Sequence, residues 1–146
     1  MDSSTSRYLA IDPRVTNPKP YEMHVNATIF VQDGQALGQR ATAGQFFLFA
    51  HGIELALKSF LHFNGVDLSR LQNMRHGLLR IQKECFSLGL HYSHPDSMAV
   101  ITKLDESLKN AKLRYDFSFD LPLVDVTCQV ANAILRDTKP PLPPLA

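Results

Sequence analysis

The stretch GQFFLFAHGIELALKSFLHF, residues 44–63, constrains the fold more than any other part of the chain. Its apolar residues would cover most of the circumference of a helix, as expected of a helix at the centre of a bundle. The pair Asn64-Gly65 follows, which is typical of the end of a helix. We therefore predict a central helix over residues 42–63.

Polar residues within this central helix form a single stripe. They are three, four and four positions apart, which places them along one face: His51, Glu54, Lys58 and His62. Glu54 precedes Lys58 by four residues, the favourable order for an ion pair on a helix. A buried carboxylate or ammonium group is costly unless it has a partner. The stripe therefore predicts either a polar binding groove or an ion-pair network, with Arg114 as a candidate partner of Glu54.

Four further segments have helical patterns. They cover residues 24–37, residues 75–88, a segment that begins at 93–96 and extends to 111, and a segment from 120–122 to about 135. Residues 24–37 also fit a hairpin, since Asp33-Gly34 favours a tight turn and residues 29–31 favour a strand. We prefer a helix because no other strand is available for a stable sheet. Leu88 and Met98 are predicted to face the core. The sequence thus predicts an all-α, up-and-down bundle of about five helices.

Length and composition favour one soluble domain. The chain has 146 residues, of which 45% are hydrophobic and 20% are charged, and its net charge is +1. This balance gives no overall basic field for indiscriminate nucleic-acid binding. We expect an irregular leader over residues 1–20, the bundle over residues 21–138 and an extended proline-rich tail over residues 139–146. A proline-binding partner is an alternative role for that tail.

Several kinds of site lack their usual sequence signals. Cys85 and Cys128 lie in apolar helical patterns without a CxxC motif, so we expect reduced thiols. The N-terminus does not resemble a signal peptide, and no run approaches the roughly 18 apolar residues of a membrane span. A cytoplasmic protein without membrane contact is expected. No HExxH, Cys–His spacing or glycine-rich phosphate loop occurs, so we expect no metal and no cofactor.

Three short patterns resemble the HEPN family of small helical bundles. HGIELALKSFL (residues 51–61) is similar to its central helix, in which Glu and Lys stand four residues apart. RHGLLRI (residues 75–81) is similar to the His-x-Leu-x-x-apolar start of its next helix. KLRYDF (residues 112–117) is similar to the Arg-Tyr pair that closes a later helix, at Arg114 and Tyr115. The order and separation of the patterns agree over residues 22–137. The resemblance implies a bundle that often forms homodimers and acts in RNA cleavage, nucleotide binding, toxin–antitoxin systems or phage defence.

The ribonucleases of this family use an arginine followed, after four to six residues, by a histidine. Arg114 occupies the expected position, but no histidine occurs after His94. Arg70 and His76 have the required spacing in an earlier connection. There His76 already fits the His-x-Leu pattern, and its ring would bond to backbone or to a polar group on the central helix. The structural role of His76 is therefore preferred to the catalytic one.

If Arg70 and His76 were catalytic, no metal would be needed. The imidazole would exchange the proton of the RNA 2′-hydroxyl group, and the guanidinium would stabilise the charge on the phosphate. Arg75, Arg80 and Lys83 would contact other phosphates. The alternative is that these basic residues form the solvated face of an amphipathic helix.

The leading interpretation is a HEPN-like binding or regulatory module without nuclease activity. It would form a homodimer and bind a nucleotide, RNA or a protein partner, such as a nucleotidyltransferase, in a stress or defence system. The alternatives are a metal-independent ribonuclease that uses Arg70 and His76, and a purely structural protein-interaction domain. The predicted binding groove consists of eight residues: His51, Glu54, Lys58, His62, Arg75, Arg80, Arg114 and Tyr115.

Overall fold

The computed structural model describes residues 17–109 and 121–141, and these residues form an all-α bundle. The described helices are α1 (Pro20–Ala36), α2 (Ala43–Phe63), α3 (Leu68–Asn73), α4 (Leu78–Ser87), α5 (Ser97–Lys109) and α6 (Val124–Thr138). The predicted fold class is confirmed. The described part holds one helix more than predicted, because α3 lies in a segment that we expected to be a connection. The finer HEPN-like description stays a prediction.

Helix α2 is the centre of the bundle, as its sequence predicts. It contacts every other described helix. Five of its large apolar side chains are almost completely buried, with exposures of 1% or less: Phe46, Phe49, Ile53, Leu57 and Leu61. Thr42 caps its first turn by accepting a hydrogen bond from the backbone N–H of Gln45 at 3.2 Å. The glycine at position 65, with φ of 97°, follows its C-terminal end.

Helix α1 settles the alternative between a helix and a hairpin in favour of the helix. It begins at Pro20, earlier than predicted, and Glu22 accepts a hydrogen bond from the backbone N–H of Lys19 at 2.9 Å. Gly34, which suggested a turn, lies inside the helix. The buried amide of Gln45 donates to the carbonyl oxygens of Gly34 at 2.9 Å and Gly38 at 2.6 Å. These bonds satisfy carbonyl groups at the end of α1 and join it to α2.

Two residues predicted to face the core are exposed. Leu88 caps the C-terminal end of α4 and is 41% exposed, whereas Met98 lies in the first turn of α5 and is 56% exposed. The predicted helices were longer at these ends than the observed helices. The apolar periodicity therefore included positions that lie beyond the region of contact between helices.

The apolar run of α2 is interrupted by Glu54 and Lys58, yet the helix has the length and the mean composition of a membrane span. Of the described helices, α2 alone is long and apolar enough, and 61% of its most apolar window is buried inside the protein. The central helix of a folded domain meets the same criterion, because its apolar residues face the other helices.

The two cysteines are free thiols, as predicted. Cys85 is buried, and its Sγ donates to the carbonyl oxygen of Leu57 at 3.4 Å. Burial raises the pKa of Cys85 to about 12, so its thiol stays protonated at neutral pH. Cys128 is half-buried, and burial also raises the pKa of its thiol.

His24 joins α1 to the end of α6. The residue is 8% exposed, and its Nε2–H donates to the carbonyl oxygen of Leu135 at 2.7 Å. Burial lowers the pKa of His24 from 6.5; the hydrogen bond to Leu135 opposes this effect, and the charge of Lys139 adds to it. The neutral imidazole is therefore the form that the folded protein favours.

This burial predicts a loss of stability in acid. The unfolded chain binds a proton at His24 more readily than the folded chain, so the free energy of unfolding falls as the pH drops from about 6.5 towards the lower pKa of the folded state. We expect the urea midpoint to fall between about pH 7.5 and about pH 5, and to fall less in His24→Gln, whose amide can still donate to Leu135. An equal fall in both proteins would contradict the role of His24.

Candidate functional site

The site is built on Glu54, a carboxylate in the middle of α2 that is only 5% exposed. Its Oε2 accepts from the ammonium group of Lys58 at 3.0 Å, and its Oε1 accepts from Nδ1 of His76 at 2.9 Å. The predicted Glu54–Lys58 pair is confirmed. Of the two partners expected for the ring of His76, backbone or a polar group of the central helix, the structure has the second. Arg114, the other candidate partner of Glu54, lies outside the described residues. A single buried carboxylate thus holds two basic groups.

Lys58 continues this network into the turn between α3 and α4, residues 74–77. Its Nζ donates to the carbonyl oxygen of Arg75 at 2.6 Å, and Lys58 is only 8% exposed. Arg75 has a φ of 51°, in the left-handed region, which costs a residue with a side chain about 1–2 kcal/mol. The hydrogen bond from Lys58 helps to hold the backbone in this unfavourable conformation. The ion pair on α2 therefore fixes the shape of the turn.

His76 is held at one nitrogen and exposed at the other end of its ring. Because the carboxylate of Glu54 can only accept, Nδ1 of His76 carries the proton in this hydrogen bond. The side chain is nevertheless 75% exposed. Within residues 17–109 and 121–141, Nε2 of His76 forms no hydrogen bond. It can accept one in the neutral imidazole or donate one in the imidazolium.

A surface cleft of about 490 Å³ opens beside this turn, and we call it the α3–α4 cleft. It is lined by five polar residues: Lys58, Gln72, Asn73, Arg75 and His76. The guanidinium of Arg75 is exposed and makes no ion pair with any other described residue. Guanidinium, imidazolium and amide groups all donate to phosphate oxygens. The cleft therefore has the chemistry of an anion site, with Glu54 beneath it offsetting one positive charge.

Arg70 does not meet His76. Its guanidinium donates to Oε2 of Glu84 at 3.1 Å, and this pair links α3 to α4. The two side chains are 58% and 35% exposed, so their attraction is weakened by solvent. In the part of the chain that the structure describes, no hydrogen bond or ion pair joins Arg70 to His76. Their spacing in sequence thus does not produce a contact.

The two ends of the polar stripe have other roles. His51 is half-buried and packs edge-on against Phe30 of α1, with ring centroids 4.4 Å apart. Burial lowers the pKa of His51, although the charge of Glu54 opposes this effect. Nδ1 of His62 donates to the carbonyl oxygen of Val66 at 2.8 Å and satisfies the backbone after α2. Neither histidine lines the α3–α4 cleft.

The remaining predicted residues are distributed as follows. Arg80 is exposed on the first turn of α4 and does not line the cleft. Arg114 and Tyr115 lie outside the described residues. The structure thus brings together Glu54, Lys58, Arg75 and His76 from the predicted set, and their function as a groove stays a prediction.

Gln72 and Asn73 are the lining residues that sequence reasoning missed. They lie at the end of α3, which is too short to show a helical period. A usable signal was Asp67, whose carboxylate caps α3 by accepting from the backbone N–H of Arg70 at 2.8 Å. Aspartate before an apolar residue is a common start of a helix.

Across the two described ranges, no group of three or more His, Cys, Asp or Glu side chains is arranged to hold a metal ion. The polar residues of the α3–α4 cleft offer hydrogen-bond donors to an anion. The described residues do not provide a set of three metal ligands there.

Comparisons of this chain with models of protein families, with curated proteins and with solved structures find no match. The resemblance of the three short patterns to the HEPN family stays a prediction.

Proposed function

We propose that this chain is a HEPN-like binding or regulatory module that holds a phosphate-bearing ligand, a nucleotide or RNA, in the α3–α4 cleft. The observation that carries the proposal is the pair of bonds to the buried carboxylate of Glu54, from Lys58 and His76. Together with the bond from Lys58 to the carbonyl oxygen of Arg75, they fix the exposed imidazole of His76 and the backbone of Arg75 at the surface. When a donor is already held in place, less conformational entropy is lost on binding, and the affinity is higher.

Two properties of the turn favour binding over a purely structural role. The imidazole of His76 is bonded to a buried group, yet its side chain is 75% exposed. Arg75 has a strained backbone and an exposed side chain next to it. Strain that the surrounding structure maintains is frequent where side chains are positioned for a ligand. The volume of the cleft, about 490 Å³, also falls within the range of small-molecule sites.

Replacing Arg75 tests this proposal. We expect Arg75→Ala to weaken binding of a fluorescein-labelled single-stranded RNA, or of adenosine diphosphate, by roughly tenfold or more, because it removes a charged hydrogen bond to phosphate. Fluorescence anisotropy measures the RNA affinity, and calorimetry measures the nucleotide affinity. If the protein binds only one of the two, that result shows whether the phosphate-bearing ligand is RNA or a free nucleotide.

The matched control is Arg40→Ala. Arg40 is exposed just before α2, whereas Lys58 is near the other end of that helix, roughly 20 Å away along its axis. Its replacement should leave both affinities unchanged. An equal effect of the two substitutions would indicate nonspecific electrostatic attraction. Absence of binding to either ligand would instead favour a purely structural interaction domain.

The Glu54–His76 pair supports a second candidate, a metal-independent ribonuclease. A carboxylate bonded to Nδ1 leaves Nε2 of a neutral imidazole as a base, which could take the proton of an RNA 2′-hydroxyl group. Arg75 would stabilise the phosphate in place of Arg70, which is paired with Glu84. If this candidate is right, His76→Ala abolishes cleavage of labelled RNA and His91→Ala does not. Intact RNA after incubation with the unmodified protein would exclude it.

We also propose that the module is a cytoplasmic homodimer whose partner is a protein such as a nucleotidyltransferase. The support is the HEPN resemblance together with exposed apolar side chains, among them Val25, Phe63 and Leu123. Size-exclusion chromatography with light scattering measures the mass in solution. A single mass near 16.4 kDa at all concentrations would contradict the dimer.

A further inference from the structure

A second cleft, of about 410 Å³, is lined mainly by apolar and aromatic groups, and we call it the aromatic cleft. Its main lining residues are Phe86, His91, Tyr92, His94, Pro95 and Met98. The rings of Phe86 and Tyr92 pack edge to face, with centroids 5.0 Å apart. The hydroxyl group of Tyr92 donates to Oε1 of Gln82 at 2.9 Å. These contacts fix the rings of Phe86 and Tyr92, which we call the aromatic wall of the cleft. Met98, on the same cleft, is 56% exposed.

The loop that forms this cleft is fastened to α6 at two points, one near the middle of the helix and one in its last turn. The backbone N–H of Ser93 donates to Oδ2 of Asp137 at 2.9 Å. Nδ1 of His94 accepts from the backbone N–H of Asp96 at 3.1 Å, so Nε2 carries the proton and donates to Oε1 of Gln129 at 3.3 Å. The cleft therefore lies beside the part of α6 between Gln129 and Asp137.

The segment that follows α6 has the right composition and the right starting point for this cleft. Helix α6 ends at Thr138, one residue after the contact with Ser93, and Pro140 is buried against the protein. Residues 140–146 read PPLPPLA and carry no charged side chain. A polyproline helix rises about 3.1 Å per residue, so eight residues in that conformation are long enough to span roughly 25 Å.

We propose that the aromatic cleft binds the chain's own proline-rich segment, residues 140–146. Proline-rich segments in the polyproline conformation dock on grooves lined by aromatic side chains, because the conformation is formed in advance and each ring offers a flat apolar face. The cleft and the segment are both largely uncharged. Attachment to α6 also gives the segment a high effective concentration at the cleft. Docking would cover Met98 and the aromatic wall.

Paramagnetic relaxation in the full-length chain tests this proposal. A nitroxide is attached to Ala146→Cys in a Cys128→Ala background, where the remaining thiol, Cys85, is buried. We expect strong loss of the amide signals of Tyr92 and Met98 at low protein concentration. In the same labelled chain, replacing both Pro143 and Pro144 with serine should restore those signals without touching the cleft.

Three results would overturn the proposal. The first is unchanged Tyr92 and Met98 signals in the labelled chain. The second is signal loss around another apolar residue, such as Val25 on α1. The third is loss that appears only when nitroxide-labelled chains are mixed with separate isotope-labelled chains, which would identify a second copy as the occupant.

Discussion

Replacing Glu54 with alanine is expected to lower the free energy of unfolding by about 3–5 kcal/mol, since it leaves a buried ammonium group without its partner. Lys58 is 8% exposed and, within residues 17–109 and 121–141, would retain only the carbonyl oxygen of Arg75 as an acceptor. His76 would lose its bond as well. Urea unfolding, with the midpoint and the slope measured separately, gives this difference.

Two variants distinguish the effect of the buried ion pair on stability from the effect of an exposed ion pair. Glu84→Ala removes the exposed pair with Arg70 and should cost less than about 1 kcal/mol. The double variant Glu54→Gln/Lys58→Met removes both buried charges, and we expect it to be more stable than Glu54→Ala alone. A Glu54→Ala protein as stable as the unmodified one would contradict the buried ion pair.

Replacing Gly52 with valine is expected to lower the free energy of unfolding by about 3 kcal/mol, because α1 passes directly over this position. A Cβ atom at Gly52 would lie 2.6 Å from Cγ2 of Val31 and 3.0 Å from the carbonyl oxygen of Ala27. The second contact is with backbone, so a side-chain rotation cannot relieve it. The two helices would have to separate, and the buried residues between them would lose contact. Urea unfolding again provides the measurement.

Gly44→Ala is a control at an open position of the same helix. A Cβ atom at Gly44 meets only Oγ1 of Thr42, at 3.9 Å. Because alanine is favoured over glycine in a helix, this change should be neutral or stabilising by up to roughly 1 kcal/mol. Destabilisation of the same size at both positions would show that the close approach of α1 is not the cause.

The features that were predicted correctly from the sequence depend on local periodicity. The apolar run of α2 predicts a buried helix at the centre of the bundle, which the structure has. The four-residue spacing from Glu54 to Lys58 predicts that the two charges lie on one face of that helix, where they form an ion pair. These two predictions need only the pitch of a helix and the cost of burying an unpaired charge. The bond from His76 to the central helix was one of two arrangements expected from the His-x-Leu pattern, and the structure has that one rather than a bond to backbone.

The features that were not predicted depend on where each helix ends. Arg75 adopts a positive φ because a short helix, α3, ends just before it, and the sequence shows no period for that helix. The partner of Arg70 is Glu84, fourteen residues away, which depends on how α3 crosses α4. The spacing of residues along the chain does not predict how two helices cross, because the turn between them determines their relative orientation.

The most direct test of the α3–α4 cleft is an amide-shift titration of the isotope-labelled full-length chain with adenosine diphosphate. Binding at this cleft predicts saturable shifts centred on Gln72, Asn73, Arg75 and His76, and their loss in Arg75→Ala but not in Arg40→Ala. Shifts centred elsewhere in the chain would contradict a phosphate site on the turn that Glu54 and Lys58 hold. So would no shift at all with either adenosine diphosphate or a short RNA.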